Sequence, residues 1–332
     1  MNTVNAVIDI GYGYLKYYDE DEGKVQKEKA VVALLGESLT ESELLKNVDI
    51  LTVDGENYIV GQAVYRLNKK PITANESVGR PGHIAYKVLG LYALAKMRLP
   101  AGQPVVVFTG LPFINLDESD LVKSVFTGKH VFALNGRPIT IEVIDTKVVS
   151  QGLGSFYATI NQRGGSLLSK KVLLVDMGFR TINYMPLING DIESTWVRTN
   201  RELGIQNAYI QIAENINREF KTNYQFYDVD DLLDRGVPRQ DLEKGKYFEK
   251  ITDKPYVADA LRGYASDVWS DLINKYPDKY REEFDEVIFT GGTAARVETY
   301  LNEQKRHYCS FVEDSQNVQV LGYKIIADKL TK

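Results

Sequence analysis

Two stretches of this sequence place an aspartate at the end of an apolar run, follow it with a glycine turn and resume an extended pattern. The first runs from Val4 to Tyr18 and has Asp9-Ile10-Gly11-Tyr12-Gly13-Tyr14-Leu15-Lys16 at its centre. The second follows the apolar run Lys171 to Met177 and reads Asp176-Met177-Gly178-Phe179-Arg180-Thr181-Ile182-Asn183. A carboxylate at the end of a buried strand is costly unless it meets water, donors or a cation. The glycines allow a hairpin whose backbone N–H groups can point at phosphate oxygens. Lys16, on the returning strand, can place a cation on the same phosphates. Either hairpin alone also suits a plain turn with a surface side chain. Two in one chain imply two similar α/β halves that clamp one polyphosphate and its cation from both sides. The cation expected is Mg2+, held through water by Asp9 and Asp176, because Mg2+ takes oxygen ligands and keeps several waters.

A third candidate is Phe289-Thr290-Gly291-Gly292-Thr293-Ala294-Ala295, a strand that runs through two glycines into a helix. Glycines let backbone approach a flat base or a phosphate, and a helix N-terminus favours anions. A plain strand-to-helix turn has the same letters. The chain has no G-x-x-x-x-G-K-[ST] loop, and no G-x-G-x-x-G follows a strand, so dinucleotide reduction has no support.

The remaining pattern is that of a two-domain α/β protein. Residues 24–35 suit a third strand, and Asp54-Gly55 within 48–61 marks a hairpin in a small unit apart from the main sheet. Residues 84–97 have helical spacing, with Ile84, Val88, Leu91, Tyr92 and Ala95 on one face. Continuous apolar runs at 104–109, 171–177 and 286–290 suit central strands covered on both sides. Ala208, Ile212, Ile216 and Phe220 form one helical stripe; Val257, Ala260, Leu261, Tyr264, Val268, Leu272 and Ile273 form another. The polar stretch 227–248 between them reads as a peripheral insertion.

Composition removes several alternatives. Forty Lys plus Arg against 45 Asp plus Glu give a net charge of -5, unlike a basic nucleic-acid-coating protein or a polybasic membrane binder. One cysteine, Cys309, and three histidines argue against disulfides and a zinc cluster. No apolar run approaches the roughly 18 residues of a membrane span, and the opening MNTVNAVIDIG lacks signal-peptide features. A cytoplasmic protein without membrane contact is expected.

The order of these motifs resembles the actin-like ATPases, within the α/β fold shared by actin, heat-shock-70-type chaperones and sugar kinases. DIGYGYLK resembles the first phosphate loop, VVSQGLGSFYA the connecting segment, DMGFRTIN the second phosphate loop and FTGGTAARV the adenosine segment. The segments TVDGENYIVGQAV and VVVFTGLP are most similar to plasmid-segregation actins of the ParM type and their archaeal relatives. Three positions depart from the pattern. Phe179 stands where a second glycine is common, Asn183 where a final acid is common, and Tyr12 where a small polar residue is usual.

The resemblance implies two domains around a nucleotide cleft. Domain I spans 1–150, with a peripheral subdomain at 31–83 and a returning segment at 311–332. Domain II spans 151–310, with a peripheral subdomain at 201–284. The resemblance also implies hydrolysis of ATP or GTP with Mg2+. Gly11, Tyr12, Gly13, Tyr14 and Lys16, with Gly178, Phe179, Arg180 and Thr181, would hold the phosphates. Asp9 and Asp176 would hold the cation, and Asp176 would also help orient the attacking water. Gln151 would position that water, although it also suits a cap for a helix starting near Gly152. Gly291, Gly292 and Thr293, with Glu202, Asn207 and Gln211, would meet the base and ribose. The partners implied are a second copy in a head-to-tail filament and a small DNA-binding adaptor of ParR type. Alternatives of the same fold are a cell-shape filament and a small-molecule kinase, which would need a further acid and an acceptor pocket.

Overall fold

The computed structural model of the chain describes residues 3–36, 45–72, 79–241, 245–277, 283–303 and 309–331. Parts of the expected peripheral segments, 37–44, 73–78, 242–244 and 278–282, lie outside the described residues. The chain forms two compact units, residues 1–166 with 317–332, and residues 167–316.

The first unit is built on β1 (Val4–Ile10), β2 (Tyr14–Asp19), β3 (Lys24–Lys29), β4 (Val32–Leu34), β5 (Ile50–Val53), β6 (Glu56–Val60), β7 (Val105–Leu111), β8 (Gly128–Leu134) and β9 (Arg137–Ser150). They make one nine-stranded sheet in the order β3-β2-β1-β7-β9-β8-β5-β6-β4. β1 and β7 pair in parallel, and both faces of this pair are covered, which is why their sequences are continuous apolar runs. Ala6, Ile8 and Ile10 pack with Val88, Leu91 and Tyr92 of α2 (Ile84–Lys96), counting as α1 the short helix Gln62–Arg66. On the other face, Val7, Val106 and Phe108 meet Val320, Tyr323 and Ala327 of the last helix (Val318–Leu330).

β9 carries the sheet around its bend. Its first half pairs antiparallel with β8 and its second half parallel with β7, and Val143 meets both Gly128 and Val105. The Asp54-Gly55 hairpin forms as expected, with positive φ at both residues. It does not stand apart, because β5 pairs with β8 and continues the same sheet. The expected strand at 24–35 divides into β3 and β4, since Ala30 turns away to donate to the Gly13 carbonyl at 3.1 Å. Helix α2 is buried around most of its circumference, while Ile84, expected on the core face, is 36% exposed.

The first unit also contains α3 (Ser119–Phe126) and α4 (Leu153–Arg163). α4 belongs here rather than beyond an expected boundary at 150, because it crosses the last helix at closest approach. A Cβ built on Gly322 would collide with the Gly154 backbone. Only glycine at these two places lets the helices meet backbone to backbone.

The second unit contains β10 (Lys171–Met177), β11 (Ile182–Ile188), β12 (Asp191–Ile192), β13 (Arg198–Asn200), β14 (Val237–Asp241), β15 (Gly245–Glu249), β16 (Glu286–Thr290) and β17 (Cys309–Phe311). Its main sheet runs β12-β11-β10-β16-β17, with β13 beside β11; β14 and β15 form a separate hairpin. Among the described residues, four helices supply the rest of the core: α5 (Gln206–Phe220), α6 (Val229–Arg235), α7 (Pro255–Lys275) and α8 (Ala294–Glu303). The stripes on α5 and α7 are buried against Leu173, Val175 and Met177 of β10, except that Ile273 is 42% exposed. The stretch 227–248 is only partly peripheral. Its helix α6 buries Val229, Leu232 and Leu233 in this core.

Candidate functional site

In the first unit the turn between β1 and β2 brings three expected residues together. Asp9 and Lys16 are directly opposed across the strands, both are buried, and Lys16 Nζ lies 3.7 Å from Asp9 Oδ2. Gln151, at the end of β9, donates from Nε2 to Asp9 Oδ1 at 3.2 Å. Its backbone N–H is anchored on the Leu111 carbonyl at 2.7 Å. The Gln151 side chain is therefore not a helix cap. The N-cap of α4 is Gly152, which has no side-chain cap bond and donates its N–H to Gln319 Oε1 at 3.1 Å. A carboxylate offers about four acceptor positions, so these two partners leave Asp9 room for ligand-bound waters.

The Gly11 N–H closes the turn on the Tyr14 carbonyl at 2.9 Å. The Tyr14 hydroxyl accepts from Lys29 Nζ at 2.7 Å. Arg80 was not foreseen here. Its Nη1 donates to the Ile10 carbonyl at 2.9 Å and its Nη2 to the Gly11 carbonyl at 2.6 Å. The same guanidinium lies 4.3 Å from the Tyr12 ring centroid and 5.8 Å from that of Tyr86. Burial pushes the Tyr86 hydroxyl up to about 12, with the Arg80 charge acting against that rise.

The second unit repeats this construction. Asp176 is opposed across β10–β11 by Asn183, as Asp9 is by Lys16. The Gly178 N–H closes the turn on the Thr181 carbonyl at 2.8 Å. Asn183 Oδ1 accepts from the Thr199 hydroxyl at 2.9 Å, tying this turn to β13. Gly291, at the end of β16, has φ +93°, and a Cβ there would run into Asp176 Oδ1 and the Met177 backbone. Thr293 then donates both its N–H and its hydroxyl to the Met177 carbonyl, at 3.2 and 3.0 Å. Asp176, Gly178, Gly291 and Thr293 thus form one cluster at the ends of adjacent parallel strands. Burial, reinforced by the Asp176 charge, holds the Tyr264 hydroxyl well above the usual tyrosine range.

Phe179 is explained by packing. Its ring lies 6.2 Å from Tyr209 and 6.0 Å from Phe226, against the core of its unit, and its carbonyl accepts from the Gln206 N–H at 3.1 Å. The aromatic side chain anchors the turn on the core of its unit. Arg180 and Thr181 are half-buried in the same turn, and a Cβ on Gly292 would meet open space. Glu202, Asn207 and Gln211 are exposed. Asn207 and Gln211 share a face of α5 one turn apart, but no side-chain bond among the described residues joins any of the three to Gly291 or Thr293.

Residues 7–154 match the family of actin like proteins N terminal domain. Over those residues the chain is similar to actin-like proteins. Solved actin-like structures cover nearly all of it. The archaeal actin homolog Ta0583 has a TM-score of 0.78 at 17% identity, over 98% of this chain and 100% of that one. Its complex with ADP gives 0.77 at 16%, over 98% and 100%. ParM in a 15-stranded filament from Clostridium botulinum gives 0.73 at 18%, over 99% and 100%. At these identities the likeness carries the fold, two α/β units of actin type. No curated protein sequence matches the chain significantly.

Proposed function

We propose that this chain is a nucleotide-dependent, filament-forming actin-like ATPase that moves plasmid DNA. The observation that carries the reading is the repeated hairpin. Each unit carries an aspartate at the last but one residue of a central strand, closes the next turn with one glycine N–H bond, and sets a polar residue opposite the aspartate. The relative seen with ADP and the relative seen as a filament support it further.

Phosphoryl transfer asks the protein mainly for positioning and charge neutralisation. In this reading Lys16 and the turn amides of Gly11 to Tyr14 and Gly178 to Thr181 hold the phosphates of ATP or GTP. Gln151, whose Nε2 is engaged by Asp9, keeps its Oε1 to accept from the attacking water, which Asp176 also helps orient. Gly291, Gly292 and Thr293, with Glu202, Asn207 and Gln211, take the base and ribose.

The cation of this reading is Mg2+, which is commonly bound by one or two carboxylates, phosphate oxygens and waters, and the two strand-end aspartates would supply such carboxylates. Asp9 and Asp176 would hold it through water, and the bound ion would neutralise charge on the transferring phosphate. A small DNA-binding adaptor of ParR type would link the filament to its cargo, since a net charge of -5 does not favour direct contact with DNA. A cytoplasmic location belongs to the same proposal, and no helix among the described residues is long and apolar enough to cross a membrane.

The test is phosphate release from ATP or GTP with Mg2+. The wild-type protein should turn over, Asp176→Ala should not, and Asp9→Ala should need more Mg-nucleotide. Equal release by all three overturns the assignment of both hairpins.

A further inference from the structure

We infer that Arg80 is a positioning residue for the first phosphate turn, and that Tyr12 is the surface that holds it in place. The inference rests on the nucleotide-binding reading of that turn and names a residue outside both aspartate hairpins. Arg80 lies in a short 3-10 turn, Arg80–Gly82, entered through Gly79 in a left-handed conformation. The Gly79 N–H donates to Glu118 Oε1 at 3.0 Å, and α3 packs against this turn. The arginine is therefore presented from a fixed base, and its planar fork reaches two successive carbonyls, those of Ile10 and Gly11.

Capping those carbonyls fixes the turn's peptide planes. A trans peptide points its C=O and N–H in opposite directions, and no cis peptide is present among the described residues. With the Gly11 carbonyl turned toward the guanidinium, the N–H of the same peptide, that of Tyr12, is turned away from it. Flipping this peptide would exchange a donor for an acceptor on the side where a phosphate oxygen must be met. The Nη2 bond to the Gly11 carbonyl blocks this flip and the Nη1 bond to the Ile10 carbonyl fixes the peptide before it, both charge-assisted and stronger than a neutral bond. The Tyr12 ring, 4.3 Å from the guanidinium carbon, holds the fork flat through cation–π stacking. This gives a reason for a large aromatic residue in a tight glycine turn. Lysine could supply the charge but cannot span both carbonyls in one plane.

The experiment measures affinity for N-methylanthraniloyl ATP and GTP with Mg2+, and for the corresponding labelled nucleosides, in the full chain. Arg80→Ala should weaken binding of the preferred triphosphate about tenfold or more, with nucleoside affinity within about twofold of wild type. Arg80→Lys should not restore it, and it carries the test if Arg80→Ala does not fold. In a Tyr12→Leu background, Arg80→Ala should cost less than it does alone, because the two side chains act as one unit. Equal triphosphate affinity in wild type and both Arg80 variants overturns the inference. So does a parallel loss of nucleoside binding, which would mark Arg80 as merely structural. A wild-type chain that binds no nucleotide overturns the site reading itself, and the inference with it.

Discussion

Gln151 donates to the Asp9 carboxylate at 3.2 Å, although 142 residues separate them in the chain. The bond places an uncharged group, able both to donate and to accept, beside the carboxylate expected to organise the cation. Gln151→Ala should slow phosphate release roughly tenfold to a hundredfold while nucleotide affinity stays within about threefold, since the group would act on the water and not on the ground state. Single-turnover release and equilibrium binding measured on the same preparation check this. Equal losses in both would assign Gln151 to holding Asp9 alone.

The crossing of α4 and the last helix gives a paired prediction. Gly322→Ala puts a methyl group into the Gly154 backbone, so it should destabilise the chain by about 1–3 kcal/mol, the usual cost of overpacking. Gly263→Ala, in the exposed face of α7 with nothing within 4 Å of the new Cβ, should instead stabilise by about 0.5–1 kcal/mol through helix propensity. Urea denaturation of both variants tests the opposite signs.

Phe179 separates packing from ligand contact. Its ring is only partly buried against Tyr209 and Phe226, so Phe179→Ala should cost about 2 kcal/mol, less than the roughly 3–5 of a fully buried phenylalanine. Denaturation in the absence of nucleotide measures this. Unchanged stability with lost nucleotide binding would return Phe179 to the phosphate site.

The two hairpins were legible because their signal is local. A β-branched run, one aspartate and a glycine within a few residues describe a strand end and its turn completely. Their supports were not legible. Arg80 reaches Ile10 and Gly11 across 70 and 69 residues, with no periodic pattern to announce it. Tyr12 and Phe179 stood out only as departures, and packing supplies the reason for each. Ile84 and Ile273 show that periodicity identifies a face without locating its rim. The 14-residue β9 was not read as a strand, because a strand serving two partners in succession has no single alternation.

Asp49 tests the electrostatics of the first unit. Burial opposes its ionisation, but donation from Asn135, Lys96 and Tyr92, at 2.8, 2.9 and 2.8 Å, outweighs burial and holds its carboxyl below the usual aspartate range. A depressed folded-state value means stabilisation that is present above the unfolded value and lost as pH falls through the folded one. Asp49→Asn should therefore destabilise by about 1–2 kcal/mol near pH 7, and the gap to wild type should close only below about pH 4. Denaturation midpoints across that range decide it. A gap that does not change with pH would contradict the ionic account.

The central claim is nucleotide-driven assembly. A head-to-tail contact that repeats without closing gives a filament, and a ligand that prefers one arrangement of the chain shifts the population toward it. Light scattering of the purified protein should rise on addition of ATP or GTP with Mg2+ above a critical concentration, then decay as nucleotide is consumed. A chain that stays monomeric in every nucleotide state at tens of micromolar, where contacts of about 1–10 µM affinity would populate, would contradict it.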